Sequence, residues 1–279
     1  MFRSRLSGCF LAAFLGLLVS SVCADPEADR RAFLQLHQDR FPGLGQDELG
    51  DGVYAIDPRL RKQWREINEF PPYAFDLDEG ERLFHQSFAN GRGYADCFAH
   101  GGVGIRQDYP RYDTRKHRVL TLELALNECR EANGEAPLPW KQGALAKISA
   151  WMASTSHGKR MHIVIPDLPD ARAAYERGRE FFYSKRGQLN FSCADCHVTA
   201  MGRQMGDVML APVIGAVTHF PVYHLRSGTL GTLHRRLAGC MYVARAKPLP
   251  AQSRPLRELE YFLSYMANGM PVRGPSAYH

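Results

Sequence analysis

Phe191-Ser192-Cys193-Ala194-Asp195-Cys196-His197 contains a C-x-x-C-H element, and nothing else in the chain restricts its fold so tightly. Two thiols one helical turn apart, followed directly by a histidine, form the attachment pattern of a c-type haem. The thiols take up the two vinyl groups, and the imidazole binds the iron as proximal ligand. Two other uses of paired thiols suit the sequence less well. A thioredoxin-like dithiol wants a βαβ setting, whereas the flanks here read as helix and Gly-rich loop. Half a zinc site wants a second Cys or His pair, and none follows at zinc spacing. One covalently attached haem c, held by Cys193, Cys196 and His197, is therefore expected.

A haem of this kind is attached outside the cytoplasm, and the first residues agree. Arg3 and Arg5 make a basic start, Cys9 to Val22 is an uncharged apolar run, and Val22-Cys23-Ala24 supplies small residues before Asp25. That is the order of a secretory signal peptide over residues 1–24. The run is shorter than the roughly 20 residues a transmembrane helix needs, and no later segment is a candidate span. Val22 is a poor neighbour for a lipidated Cys23. A periplasmic protein beginning at Asp25 is the expectation. Loss of the segment removes two arginines and no acid from a formal net charge of +6. What remains is mildly basic without a long basic block, which does not suggest nucleic-acid binding but leaves room for a local anion pocket.

Residues 25–75 mix charged residues with Gly and Pro, and read as an arm or a set of short helices laid over the rest. Helical periodicity then marks Asp76 to Gly91, Thr121 to Glu131 and Leu145 to Ser154, with a Gly-rich loop from Gly91 to Gly104. A second series follows: a helix over Asp170 to Ser184, the haem motif, a helical segment over Gly228 to Cys240, and a closing helix over Pro255 to Asn268. Each half thus runs helix, Cys-bearing loop, later Cys, closing helix. This order predicts a mainly α chain of two tandem cytochrome c-like domains related by pseudo-symmetry, at 76–165 and 166–279. In the first, Cys97-Phe98-Ala99-His100 lacks the second thiol, so that domain is expected to carry no haem.

Five cysteines remain after residue 24, an odd number for an oxidising compartment. With Cys193 and Cys196 on haem, Cys97 and Cys129 lie in the same half, and a disulfide between them is the economical pairing. Cys240 is then left over. The iron needs a ligand opposite His197, and Cys240, Met241, Met266 and Met270 all lie far enough along the chain to supply it. Arg236 and Cys240 are four apart and share a helix face. His234, Arg235, Arg245 and Lys247 add positive charge, and cations beside a thiol stabilise its thiolate. These neighbours favour Cys240 over a methionine.

Several further stretches resemble one family. Phe220-Pro221-Val222-Tyr223-His224-Leu225-Arg226, Leu233-His234-Arg235-Arg236 with Cys240, Val243-Ala244-Arg245-Ala246 and Asn268-Gly269-Met270-Pro271-Val272 are similar to SoxA, the haem subunit of the SoxAX cytochrome. In the first half Tyr109-Pro110-Arg111-Tyr112-Asp113 and Leu122-Glu123 through Asn127-Glu128-Cys129 agree. Val198 to Thr218 follows the pattern less closely. The resemblance implies an L-cysteine S-thiosulfotransferase of the single-haem branch, with His197 and Cys240 as axial ligands. It makes Cys240 the catalytic thiol and Arg236 the thiosulfate-binding arginine. The implied partners are SoxX, a smaller cytochrome c, and the carrier protein SoxYZ, whose cysteine is joined to thiosulfate with release of two electrons. The competing expectation is a monohaem electron carrier with Met241 or Met270 on the iron and no sulfur chemistry.

Overall fold

The computed structural model describes residues 25–206 and 208–278, and the expected signal segment 1–24 lies outside them. The chain is mainly helical. The helices are α1 (Pro26–Arg40), α2 (Gln46–Leu49), α3 (Val53–Ile56), α4 (Pro58–Glu69), α5 (Ala74–His85), α6 (Leu122–Ala132), α7 (Ala144–Ser154), α8 (Pro169–Tyr183), α9 (Leu233–Val243) and α10 (Arg254–Met266). Between them lie short strands: β1 (Arg111–Asp113), β2 (Arg118–Leu120), β3 (Gln204–Met205), β4 (Val208–Met209), β5 (Val222–His224), β6 (Thr229–Gly231) and β7 (Ser276–Tyr278).

Two units with the same order of parts emerge. In one, α5 packs across α7, and in the other α8 packs across α10. Both crossings depend on a glycine. A Cβ added to Gly80 would sit 2.2 Å from the Lys147 carbonyl oxygen, and one added to Gly178 would sit 2.0 Å from that of Glu258. The helix backbones touch at these points, so any side chain would force them apart. Each unit also holds an antiparallel hairpin, β1–β2 or β5–β6, that runs through a threonine (Thr121 or Thr232) into a helix carrying a cysteine. Cys129 in α6 and Cys240 in α9 are the corresponding residues.

The interiors differ. In the α5–α7 unit aromatic rings fill the centre: Phe84 lies 4.5 Å from Trp151 and 5.6 Å from Tyr94, centroid to centroid. Cys97 and Cys129 are disulfide-bonded at its edge. In the α8–α10 unit Phe182 and Phe262 pack against Phe33 of α1, Tyr175 packs against Phe262, and Phe182 also borders a cavity.

The units are stitched together reciprocally. Thr232 donates its N–H to the Lys141 carbonyl and its hydroxyl to that of Trp140, while the Thr121 hydroxyl reaches Gln252. A buried ionisable group lies at this junction. His234 of α9 accepts the Gln252 N–H at Nδ1 and presents Nε2 to Glu260 of α10 at 3.1 Å. Glu123 of α6 takes the Ser149 hydroxyl at 2.7 Å. Burial and the nearby Glu260 raise the Glu123 carboxyl, with Arg106 opposing them.

Two expectations from the sequence change. Residues 25–75 contain two substantial helices, α1 of 15 residues and α4 of 12, not only short ones. Asp25 caps α1 through the Glu27 N–H, and α1 buries Phe33 and His37 while Asp29 bonds the Tyr175 hydroxyl. The helix expected from Gly228 begins only at Leu233, because Thr229–Gly231 pairs with Val222–His224 as β6. No helix among the described residues is long and apolar enough to cross a membrane.

Candidate active site

The haem motif is shaped by its own local sequence. Ser192 and Asp195 form reciprocal contacts: the Ser192 N–H and hydroxyl both donate to Asp195 Oδ2, and the Asp195 N–H donates to Ser192 Oγ. This capping box starts a helical turn at Cys193, so Cys193 and Cys196, three apart, face the same way. Upstream, Arg186 and Phe191 exchange backbone hydrogen bonds and close a tight loop. At its tip Gly187 has φ +73, and a Cβ there would meet the Ala244 carbonyl oxygen at 2.1 Å. The loop therefore rests directly on the end of α9, the helix that carries Cys240. The Gln188 and Leu189 N–H groups donate to the Arg245 and Ala244 carbonyls.

His197 follows in the same turn. Its Nδ1 lies 3.1 Å from the Ala211 carbonyl oxygen. A carbonyl can only accept, so that contact places a proton on Nδ1 and makes Nε2 the atom that would bind iron. From the opposite side comes Cys240, within hydrogen-bonding reach of His197. Burial alone would raise the Cys240 thiol. The hydrogen bond with His197 and the charge of Arg236 outweigh it and hold the thiol below its ordinary range. Cys193 and Cys196 move the other way, raised by burial, with Arg186 opposing at Cys193. The three free cysteines of the described residues are thus electrostatically distinct.

These groups border one cavity of about 400 Å³, within the range of pockets that enclose a small organic ligand. Cys193, Cys196, His197, Arg236 and Cys240, all named from the sequence, line it together. Its walls are mostly apolar, with Phe182, Val217, Leu237, Leu259 and Leu263 prominent. Two thiols three residues apart, an imidazole and a third thiol, together in one apolar cleft, match the donor set of a covalently held haem. Met241 also lines the cavity, but Met270 is buried elsewhere, its sulfur against Gly50 and Gly215.

Residues the sequence did not single out complete the walls. His219 is buried, its Nε2 donating to the Gly50 carbonyl at 2.9 Å and its Nδ1 facing the Ser276 hydroxyl at 3.1 Å. Burial pushes its imidazole down to about 4. Arg186 lies over the Phe181 ring at 3.8 Å and points Nη1 at Cys193 Sγ, 3.5 Å away. Neither carries a motif of its own; only the fold brings them to the site.

Comparison with known proteins gives a consistent picture. The family described as "SoxA/TsdA, cytochrome c domain" matches residues 79–161 and 177–272, one segment in each unit. The L-cysteine S-thiosulfotransferase subunit SoxA of Allochromatium vinosum is 47% identical over 255 residues, covering 91% of this chain and 90% of its own. That of Chlorobaculum thiosulfatiphilum is 45% identical over 251 residues, covering 90% and 87%. The crystal structure of SoxXA from P. pantotrophus superposes with a TM-score of 0.71 at 25% identity, covering 78% of this chain and 84% of the matched one.

Proposed function

Because this chain belongs to the SoxA family of the SoxA/TsdA cytochromes c, we propose that it is the haem subunit of a thiosulfate-oxidising L-cysteine S-thiosulfotransferase, with Cys240 as its reacting thiol. The observation that carries the residue assignment is the convergence of Cys240, Arg236 and the Cys193–Cys196–His197 turn on one apolar cavity. The net reaction joins thiosulfate to a cysteine thiol of a carrier protein. A sulfur–sulfur bond forms, the thiol proton leaves, and two electrons pass to an external cytochrome. Haem c would be held by Cys193, Cys196, His197 and Cys240, and would supply the one-electron chemistry.

The chain's own residues do the rest. Arg236, one turn before Cys240, offers a planar fork of donors to a thiosulfate dianion and offsets its repulsion from the thiolate. The charge of Arg236, on the same helix, favours the thiolate form of Cys240 against the effect of its burial. The apolar walls exclude water, so each charge contact is stronger than at the surface. A single haem is proposed per chain, since the other unit joins Cys97 to Cys129 and fills its centre with aromatic rings. The functional unit pairs this chain with a SoxX-type cytochrome and uses a SoxYZ-type carrier as acceptor. It works in the periplasm after removal of a signal peptide at residues 1–24, with an N-terminal arm at 25–75 and domains at 76–165 and 166–279. The test is turnover: the haem-loaded protein with its partner should consume thiosulfate only when a carrier thiol and an electron acceptor are both present. Reduction of the acceptor without carrier modification would instead favour the simple electron carrier.

A further inference from the structure

Three glycines stand inside the long helices of the described residues: Gly80 in α5, Gly178 in α8 and Gly239 in α9. A glycine in a helix interior costs roughly 0.5–1 kcal/mol against alanine, so each calls for a cause. For Gly80 and Gly178 the cause is the touching backbone of a second helix. Gly239 has none among the described residues. Its backbone is ordinary helix, it is exposed, and a Cβ placed on it meets no heavy atom within 4 Å.

Its position is not neutral. Gly239 directly precedes Cys240, stands three residues after Arg236 on the neighbouring helix face, and borders the same cavity. Beyond it the last turn of α9 presents Tyr242 and Val243, 69% and 52% exposed. The space beside Gly239 is open to a group from outside the chain. Thiosulfate is a compact ion drawn in by Arg236 and asks little of the helix surface. The acceptor asks more. A cysteine sulfur is two bonds from its own Cα, so a protein thiol reaching Cys240 must bring its main chain to within a few ångströms of α9.

We propose that Gly239 is the acceptor-access position, a notch beside Cys240 over which the main chain of the cysteine-bearing substrate passes. The idea rests on Cys240 being the reacting thiol. It predicts that a side chain at 239 selects against the protein acceptor and spares the small anion.

The experiment uses the haem-loaded, partner-bound protein carrying Gly239→Ala or Gly239→Val, assayed with thiosulfate and the carrier protein. Gly239→Ala should unfold at no lower temperature than the wild type, and both variants should keep its absorption and EPR spectra. The KM for thiosulfate should stay put. The KM for the carrier should rise several-fold with alanine and roughly tenfold or more with valine, as crowding of a close contact implies. An unchanged KM for the carrier in both variants overturns the proposal. So does an altered haem spectrum, which would assign the space to the cofactor. A haem-containing Cys240→Ala protein assayed alongside separates the two levels. Full activity there defeats the Cys240 assignment itself, whereas loss of activity there with wild-type Gly239 variants defeats only the access role.

Discussion

His219 makes the wall of the cavity sensitive to acid, by an amount that follows from its burial. The imidazole bridges Gly50, on the cavity wall, to Ser276 of β7, and burial lowers it from 6.5 to about 4. A group whose folded value lies below its unfolded one contributes stability that is complete above the unfolded value. That contribution is lost as pH falls through the folded one. The window here runs from about 6.5 down to 4. At 1.36 kcal/mol per pH unit the loss is about 3 kcal/mol, or roughly 6–12 °C in Tm for a chain of this size. The measurement is urea unfolding of the wild type and of His219→Phe at pH 7 and pH 4. At pH 7 the variant should be less stable by roughly 1–3 kcal/mol, because the Gly50 carbonyl and Ser276 hydroxyl lose their partner. Toward pH 4 that gap should close, since phenylalanine has no proton to take up. Parallel losses in the two proteins would refute the reasoning.

Other perturbations test other parts. Gly178→Ala should lower Tm by several degrees and by more than helix propensity returns, because α8 and α10 must separate; equal or raised Tm would deny the backbone contact at Glu258. Arg236→Ala should leave covalent haem in place and raise the KM for thiosulfate roughly 10- to 100-fold, the worth of a charge-assisted hydrogen bond; an unchanged KM would remove Arg236 from the anion site. The EPR spectrum of the oxidised protein should show a low-spin haem with thiolate ligation that is lost in Cys240→Ala, and methionine-type ligation in the wild type would point to Met241.

Much of the site was legible in the sequence because its chemistry is local. Two cysteines and a histidine in one turn carry their own spacing, and Arg236 and Cys240 sit one turn apart on a helix whose later part was legible. The six helices from α5 to α10 were legible for the same reason, since amphipathic periodicity is a property of short windows. The three-residue strands were not. Thr229-Leu230-Gly231 is too short to show alternation, and it reads as the start of α9 until Val222–His224 is seen beside it. The arm's α1 was obscured by its charge: only Phe33 and His37 of its 15 residues are buried. His219, Arg186 and the helix crossing at Gly178 depend on partners far away in sequence, so no local pattern announces them.

The central claim is that the Cys240 sulfur is the reacting group, and the most direct measurement is turnover by a Cys240→Ala protein that still holds its covalent haem at Cys193 and Cys196. The prediction is loss of thiosulfate transfer to the carrier cysteine, with the haem still reducible by a chemical donor. Consumption of thiosulfate at the wild-type rate by that protein would contradict it.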